Sequence, residues 1–408
     1  MKQLLLIICG CVLLIGNSCS GRSTKNVDKD VSYGNLPVID ITKDYPVKEV
    51  NIQDIAEVEY IPLETTEESL LDGGALGRVA CSDSLIVTCN LQQGKVLIFD
   101  RTGKYIDSFS HMGGGAEEYM QLSRYCVDFK ANEIFISDFF HNHRIMVYSL
   151  EGHFKRMLLL PKEIMPYLMY NYDNDYLLVY DGYRLDSAFP DKDINKKPYM
   201  LFSKKDGKMI TLNFTVEERI GNKYSVIDKE VDHTVYGRSS MVGIFQISKN
   251  GFKTFVSDFA SDTLYALEKM QFIPLIVRTP TIAESNKTIL FSIYFRTNRY
   301  TLMNSVEKNI DKDKGELAPV SRYFMYDKQT GEIHTPHFYN LDYSPKRQTI
   351  VEDNYMAELP DNYARRILSA EMLVRINKEG HIVGKLKEVI SKLKEDDNPV
   401  LMLIKFKE

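Results

Sequence analysis

Two histidines stand two residues apart close behind an aspartate in this 408-residue chain, and they are the first place to look for chemistry. That spacing puts His141 and His143 on one face of a strand, with Asp138 just upstream, so the group could supply ligands to a divalent metal. The same residues equally suit hydrogen bonding between strands. The other histidines offer less. His153 and His381 directly follow Gly152 and Gly380, places held by Lys104 and Lys208 in similar turns, and are expected at exposed edges. His334 and His337 flank Thr335-Pro336 without a recognised ligand pattern.

Other constellations fail their templates. The run Asn309 to Gly315 opens like a calcium loop, but Lys314 stands where an EF-hand needs Gly, and Val320 where it needs a bidentate Glu. Gly113-Gly114-Gly115 is not followed by the Lys-Ser/Thr of a phosphate cradle, and Glu117-Glu118 would repel phosphate. It reads as a turn, with Glu118 or Tyr119 lining a central face. There is no Gly-x-Ser-x-Gly elbow, no His-Glu-x-x-His and no kinase-like set. A divalent cation is the one cofactor left open, and nothing in the sequence requires catalysis.

The elements that must position these residues repeat. Val96-Leu97-Ile98-Phe99 with Gly103 recurs as Ile145-Met146-Val147-Tyr148 with Gly152, offset by 49 at every position. Further copies end at Phe202 with Gly207, Tyr326 with Gly331 and Ile376 with Gly380, while Leu264-Tyr265 carries the strand without the glycine. Period-2 alternation buries a strand on a neighbouring sheet, and the glycine supplies the positive φ of a hairpin. Strand-like runs such as Leu85-Ile86-Val87 and Ile134-Phe135-Ile136 lie between copies, so each unit holds several strands. The expectation is an all-β fold, a six-bladed β-propeller. Its strand Val50 to Leu63 should close the ring with Val400 to Lys407 from the other end. Leu386, Val389, Ile390 and Leu393 mark a short amphipathic helix near the C-terminus, from about Gly384 to Lys394.

Two insertions, Asp181 to Lys197 and Asn304 to Ser321, are charged and turn-rich and read as loops. They are either a functional surface or tolerated growth.

Met1-Lys2-Gln3, the apolar run Leu4 to Ile15 and the small residues before Cys19 form an export signal too short to span a bilayer. The arrangement is that of a lipoprotein signal over residues 1–18, with Cys19 as the lipidated residue; plain secretion is the alternative. Residues 19–45 are polar and read as a tether, and 46–408 as the propeller. Of six cysteines, only Cys81, Cys89 and Cys126 lie past Cys19, which leaves an odd thiol and no disulfide framework. A net charge of -5 without a dense basic stretch excludes nucleic acid as a partner.

The run Ile136 to Tyr148, with Asp138 ending one strand and Asn142-His143-Arg144-Ile145 leading into the next, resembles an NHL repeat. From about Val50 to Lys407 the chain resembles the six-bladed β-propeller lipoproteins of Bacteroidota. The shared features are the lipoprotein start, Val58-Glu59-Tyr60-Ile61-Pro62-Leu63-Glu64, Gly113 to Tyr119 and Asn398-Pro399-Val400-Leu401. The resemblance implies the fold and an outer-membrane address facing periplasm or surface, and little about activity. The expectation for function is a binding or scaffolding module at the cell envelope. It would be held to the membrane by its lipid and would recognise an envelope protein or a glycan through loops on one face. Glu118, Tyr119, Asp138, His141 and His143 are the candidate ligand-binding residues. The rival is a propeller-type hydrolase or lyase acting on a saccharide or lactone, which would gather Asp, Glu, His or Asn at the channel mouth.

Overall fold

Alternation decides where each strand's side chains go. In the strand Val400–Phe406, Leu401 and Leu403 point into one seam, with Ile86, Leu97 and Phe99, while Val400, Met402 and Ile404 point into the next, with Phe295 and Leu302. A strand that is apolar on both faces needs a neighbouring sheet on each side, and sheets so stacked close into a ring. The computed structural model shows that ring. It describes residues 35–72, 78–141, 143–182, 195–231, 234–311, 316–351 and 357–407.

Five blades have four antiparallel strands each. From the axis outward, blade 1 is Ala80–Cys81, Leu85–Asn90, Lys95–Asp100 and Tyr105–Ser110. Blade 2 is Leu122–Asp128, Glu133–Asp138, Arg144–Ser149 and Phe154–Leu159, and blade 3 is Pro166–Asn171, Tyr176–Asp181, Tyr199–Ser203 and Met209–Thr211. Ile247–Asn250, Lys253–Val256, Thr263–Glu268 and Gln271–Thr279 form blade 4. Blade 5 is Ile289–Arg296, Tyr300–Glu307, Val320–Asp327 and Ile333–Asn340. Blade 6 closes the ring: Val400–Phe406 lies between Tyr363–Leu368 and the early strand Ala56–Pro62, antiparallel to both. Ala357–Leu359, just before the first of these strands, runs parallel to the innermost strand of blade 1, where Glu358 bridges to Ala80. Closure by both ends of the chain is as the sequence predicts.

The repeated motif is the third strand and following hairpin of each blade. Its landmark aromatics do one job: Phe99, Tyr148, Phe202 and Tyr265 each sit in the seam with the preceding blade. Gly103 shows why the glycine is there. Its φ is +90°, and a Cβ would collide with the Pro62 carbonyl. Blade 4 makes the turn with Lys269 and Met270 instead, both at positive φ.

The sixth copy is a correction. Ile376 lies in a helix, Ala370–Lys378, whose N-cap Ser369 accepts from the Met372 amide, and the landmark place is taken by Phe406, its ring centroid 4.6 Å from that of Phe295 at a tilt of 32°. Ile376 instead buries the helix in the seam between blades 5 and 6. The expected second helix spans Gly384–Ile390, four residues shorter than predicted, with Leu386 and Ile390 buried.

Two further boundaries move. Val38–Asp40 runs parallel to Val277–Thr279 at the edge of blade 4, and Val47–Asn51 parallel to Thr335–Tyr339 at the edge of blade 5. The fold therefore starts before residue 46, hidden because a three-residue edge strand has no pattern to read. Asn304 to Ser321 is an extended hairpin and not a loop, since Asn304 pairs with Tyr323 and Glu307 with Val320, followed by Ile310–Asp311 against Glu316–Leu317. Asn304, Ser305 and Glu307 are polar yet buried in the strand, and polar residues in a row read as a loop. Residues 312–315, the signal segment, Cys19 and residues 183–194 lie outside the described residues.

Candidate functional site

Antiparallel blades sort their connections. Turns joining first to second and third to fourth strands emerge on one face, the turn face; links between second and third strands and between blades emerge on the other, the connection face. Turn-face links run from two to five residues. The long links start and end on the connection face: the one between Asp181 and Tyr199 in blade 3, the one between Glu307 and Val320 in blade 5, the helices of blade 6, and the hairpin Lys223–Val231 with Thr234–Met241 between blades 3 and 4.

Stems of these segments are tied down. Arg219 donates to the carbonyls of Asp181 and Asn195, the latter at 2.8 Å, and lies over the Tyr180 ring. The Asp181 carboxylate accepts from the Met165 amide at 3.2 Å and from Asn195 at 3.3 Å. Lys308 donates to the Gly221 and Lys223 carbonyls, joining the blade 5 link to the base of the hairpin.

All five sequence-selected residues gather on this face, at the seam of blades 1 and 2. Asp138 is fully buried; its carboxylate accepts from Arg144 Nη2 at 2.9 Å and from the amides of Phe140, Met120 and Gln121 at 3.1, 3.3 and 3.4 Å, and His141 Nδ1 lies 3.1 Å from its Oδ2 and 3.0 Å from Arg144 Nη2. Burial raises its pKa, but Arg144 and these donors outweigh that and hold it below the ordinary value. The Tyr119 hydroxyl donates to the Gly94 carbonyl at 2.5 Å and is buried, while Glu118 accepts from the Gly115 amide at 2.7 Å, closing the glycine turn. His143 stands with its ring 6.3 Å from that of His141. The structure brings Asp138 and His141 together through hydrogen bonds. Among the described residues no three His, Cys, Asp or Glu side chains converge as metal ligands. Asn142 of the repeat-like run lies outside the described residues.

Sequence reasoning missed the turn face, where the channel opens into a cavity of about 370 Å³. Glu358 is its centre: Oε2 accepts from the Val127 amide and Oε1 from the Asn171 amide, both at 2.8 Å, bridging blades 2 and 3 while its backbone pairs with blade 1. Lys249 of blade 4 donates to the Asn171 carbonyl. Lys204 donates to Asp128 Oδ2 at 2.6 Å, to Asn171 Oδ1 at 2.7 Å and to the Asp173 carbonyl. Asn250 accepts from the Asn362 amide at 2.5 Å and donates to the Arg296 carbonyl at 2.6 Å, which takes the belt through blades 4, 5 and 6. Burial pushes the Glu358 carboxyl up and the Lys249 ammonium down. These residues come from separate blades, so no local motif announces them.

The three cysteines past residue 19 are buried free thiols on different strands, and burial raises Cys81 and Cys89 to about 12. No helix among the described residues is long and apolar enough to cross a membrane.

The sequence profile of one family, described as Domain of unknown function (DUF4934), matches residues 36–405. No curated protein matches. Among solved structures, a Bacteroides fragilis protein named as exported is 15% identical and superposes with a TM-score of 0.60 over 91% of this chain and 100% of its own. At that identity the likeness shows the fold alone. A Bacteroides vulgatus member of the duf4221 family is 9% identical with a TM-score of 0.43, covering 86% of this chain and 97% of that one. Virginiamycin B lyase from Staphylococcus aureus is 8% identical with a TM-score of 0.38, covering 86% of this chain and 100% of its own. Superpositions this loose carry no argument about chemistry.

Proposed function

The chain belongs to the DUF4934 family, and from that membership and its six-bladed ring we propose an exported binding or scaffolding module at the cell envelope. It would be anchored through Cys19 in the outer membrane and would recognise an envelope protein or a glycan through its connection face. One observation carries this reading: the long connections of blades 3, 5 and 6 and the hairpin before blade 4 all emerge on one face. A rigid ring offering long loops on one side, two of their stems pinned by Arg219 and Lys308, is suited to recognition.

The rival enzyme reading keeps one observation in its favour, since carboxylates and amides do converge at the channel mouth. There, Glu358 spends both oxygens on backbone amides and Asp128 is paired with Lys204, so neither is a free acid or base. Binding is the better reading.

The test is affinity isolation of the tagged full-length protein from its own membranes in mild detergent. It is run for the wild type, for Cys19→Ala, and for a variant with residues 183–194 replaced by a short Gly-Ser link. The reading expects a stoichiometric partner with the wild type, lost with the trimmed variant at unchanged melting temperature. Recovery of the same partner by the trimmed variant, or of no partner by the wild type, overturns it.

A further inference from the structure

The turn-face cavity lies at the opposite end of the channel from the surface just proposed, and we propose that it is a separate binding site for a small neutral saccharide of one or two rings. Its volume, about 370 Å³, falls in the range of small-molecule pockets. Below it the charges are already balanced within the protein: Asp128 has Lys204 at 2.6 Å, and Glu358 feels Lys249. That leaves a fixed floor and an open rim, and the rim selects the ligand.

Phe252 is 73% exposed at the rim, with Phe129 also lining the cavity. Phe252 rides on a tight turn in which Gly251 has φ +58° and lies so close to Asp361 that a Cβ would strike its Oδ1. An aromatic ring on blade 4 and a carboxylate on blade 6 are thereby held side by side. Across the mouth are Asp83 of blade 1, and Lys130 of blade 2, which donates to Asn174 Oδ1 of blade 3 at 3.3 Å. Among the described residues, the carboxylates of Asp83 and Asp361 take part in no hydrogen bond or ion pair.

The chemistry follows from what these groups can do. A carboxylate only accepts hydrogen bonds and an ammonium only donates them, so a ligand touching both Asp361 and Lys130 must donate and accept around its perimeter. Hydroxyls do both, whereas an amine ligand could serve the aspartates but not Lys130, and an anion could serve Lys130 but not the aspartates. The carboxylates are spread over separate blades with no metal-like cluster among the described residues, so a metal ion is not served. An apolar face is also required to cover Phe252, and a pyranose ring offers one beside its hydroxyls.

Titration calorimetry and thermal shift with glucose, galactose, mannose and cellobiose, with glucosamine and putrescine as charged controls, test this on the full-length protein. The expected result is saturable binding of at least one neutral sugar at about 10 mM or below. Phe252→Ala should weaken it about tenfold with unchanged melting temperature, since that side chain is exposed. Asp361→Asn should weaken it as well. Absence of binding by any neutral sugar, binding only by the amines, or binding unchanged in both variants overturns the proposal. The variant lacking residues 183–194 should bind the sugar normally, so failure here and failure of the connection-face reading are read separately.

Discussion

Replacing Asp138 tests whether the repeat-like run is a hub that holds the blade 1 to blade 2 seam or a ligand site. In the native protein this fully buried carboxylate serves the Arg144 guanidinium, the His141 ring and three backbone amides. Asp138→Ala leaves a guanidinium whose side chain is 17% exposed without its partner, and leaves the amides unsatisfied. Removing one member of a buried pair costs about 3 to 5 kcal/mol, and the partial access of Arg144 to water places this site near about 3. Asp138→Asn keeps an acceptor but loses the charge, and should cost about half of that. Urea denaturation followed by far-UV circular dichroism and tyrosine fluorescence measures both, the chain having no tryptophan.

The sign of the pH effect is fixed too. The folded-state pKa of Asp138 lies below the ordinary 3.8, so its stabilisation is present above that value and is lost as the pH falls through the folded pKa. The gap between wild type and Asp138→Asn should therefore close below about pH 4. A cost of Asp138→Ala under about 0.5 kcal/mol, within the noise of a surface change, would refute the hub. So would a wild type that is strongly stabilised by divalent metal.

Lys204→Met should lower stability by about 3 kcal/mol, because Asp128 keeps a buried charge and blades 2 and 3 lose their shared ammonium; a denaturation midpoint equal to wild type would contradict the belt. His334 is buried, neither ring nitrogen has a hydrogen-bond partner among the described residues, and burial holds its pKa below the ordinary 6.5. The unfolded chain then binds the proton more readily, so stability falls as the pH drops through 6.5 toward the folded value, and melting curves of His334→Phe should lack that part of the slope. Equal slopes for the two proteins would sink this account. Cys81, Cys89 and Cys126 should all resist an aromatic disulfide reagent at pH 8 until the protein is denatured, and rapid labelling of any of them in the folded state would show that the seams open. Truncation before Val400 removes the middle strand of blade 6 and should abolish cooperative unfolding, with calorimetry as the readout.

What the sequence by itself determined was local and periodic. Alternation at Val96 to Phe99 and its copies forces two-sided burial, the positive φ of Gly103 and Gly152 forces the hairpins, and together these require a closed ring of blades. The strands Ala56–Pro62 and Val400–Phe406 were legible because the first is apolar at alternate positions, the second at every position but Lys405, and neither has a partner nearby in the chain. Ile376 misled because a strand ending and one turn of an amphipathic helix look alike over four residues, and only the seam it packs against settles which it is.

The tertiary structure decided the faces. Asp138, His141 and Glu118 could be picked from one stretch of chain, but their place on the connection face follows from the up-and-down order of strands across a whole blade. Glu358, Lys249, Lys204 and Asn171 span nearly 190 residues and meet only because ring closure brings the turn-face ends of separate blades around one axis. No short-range pattern encodes that meeting. A side chain aimed at a channel is distinguished from one aimed at solvent by what stands opposite it, and the residues opposite lie on other blades.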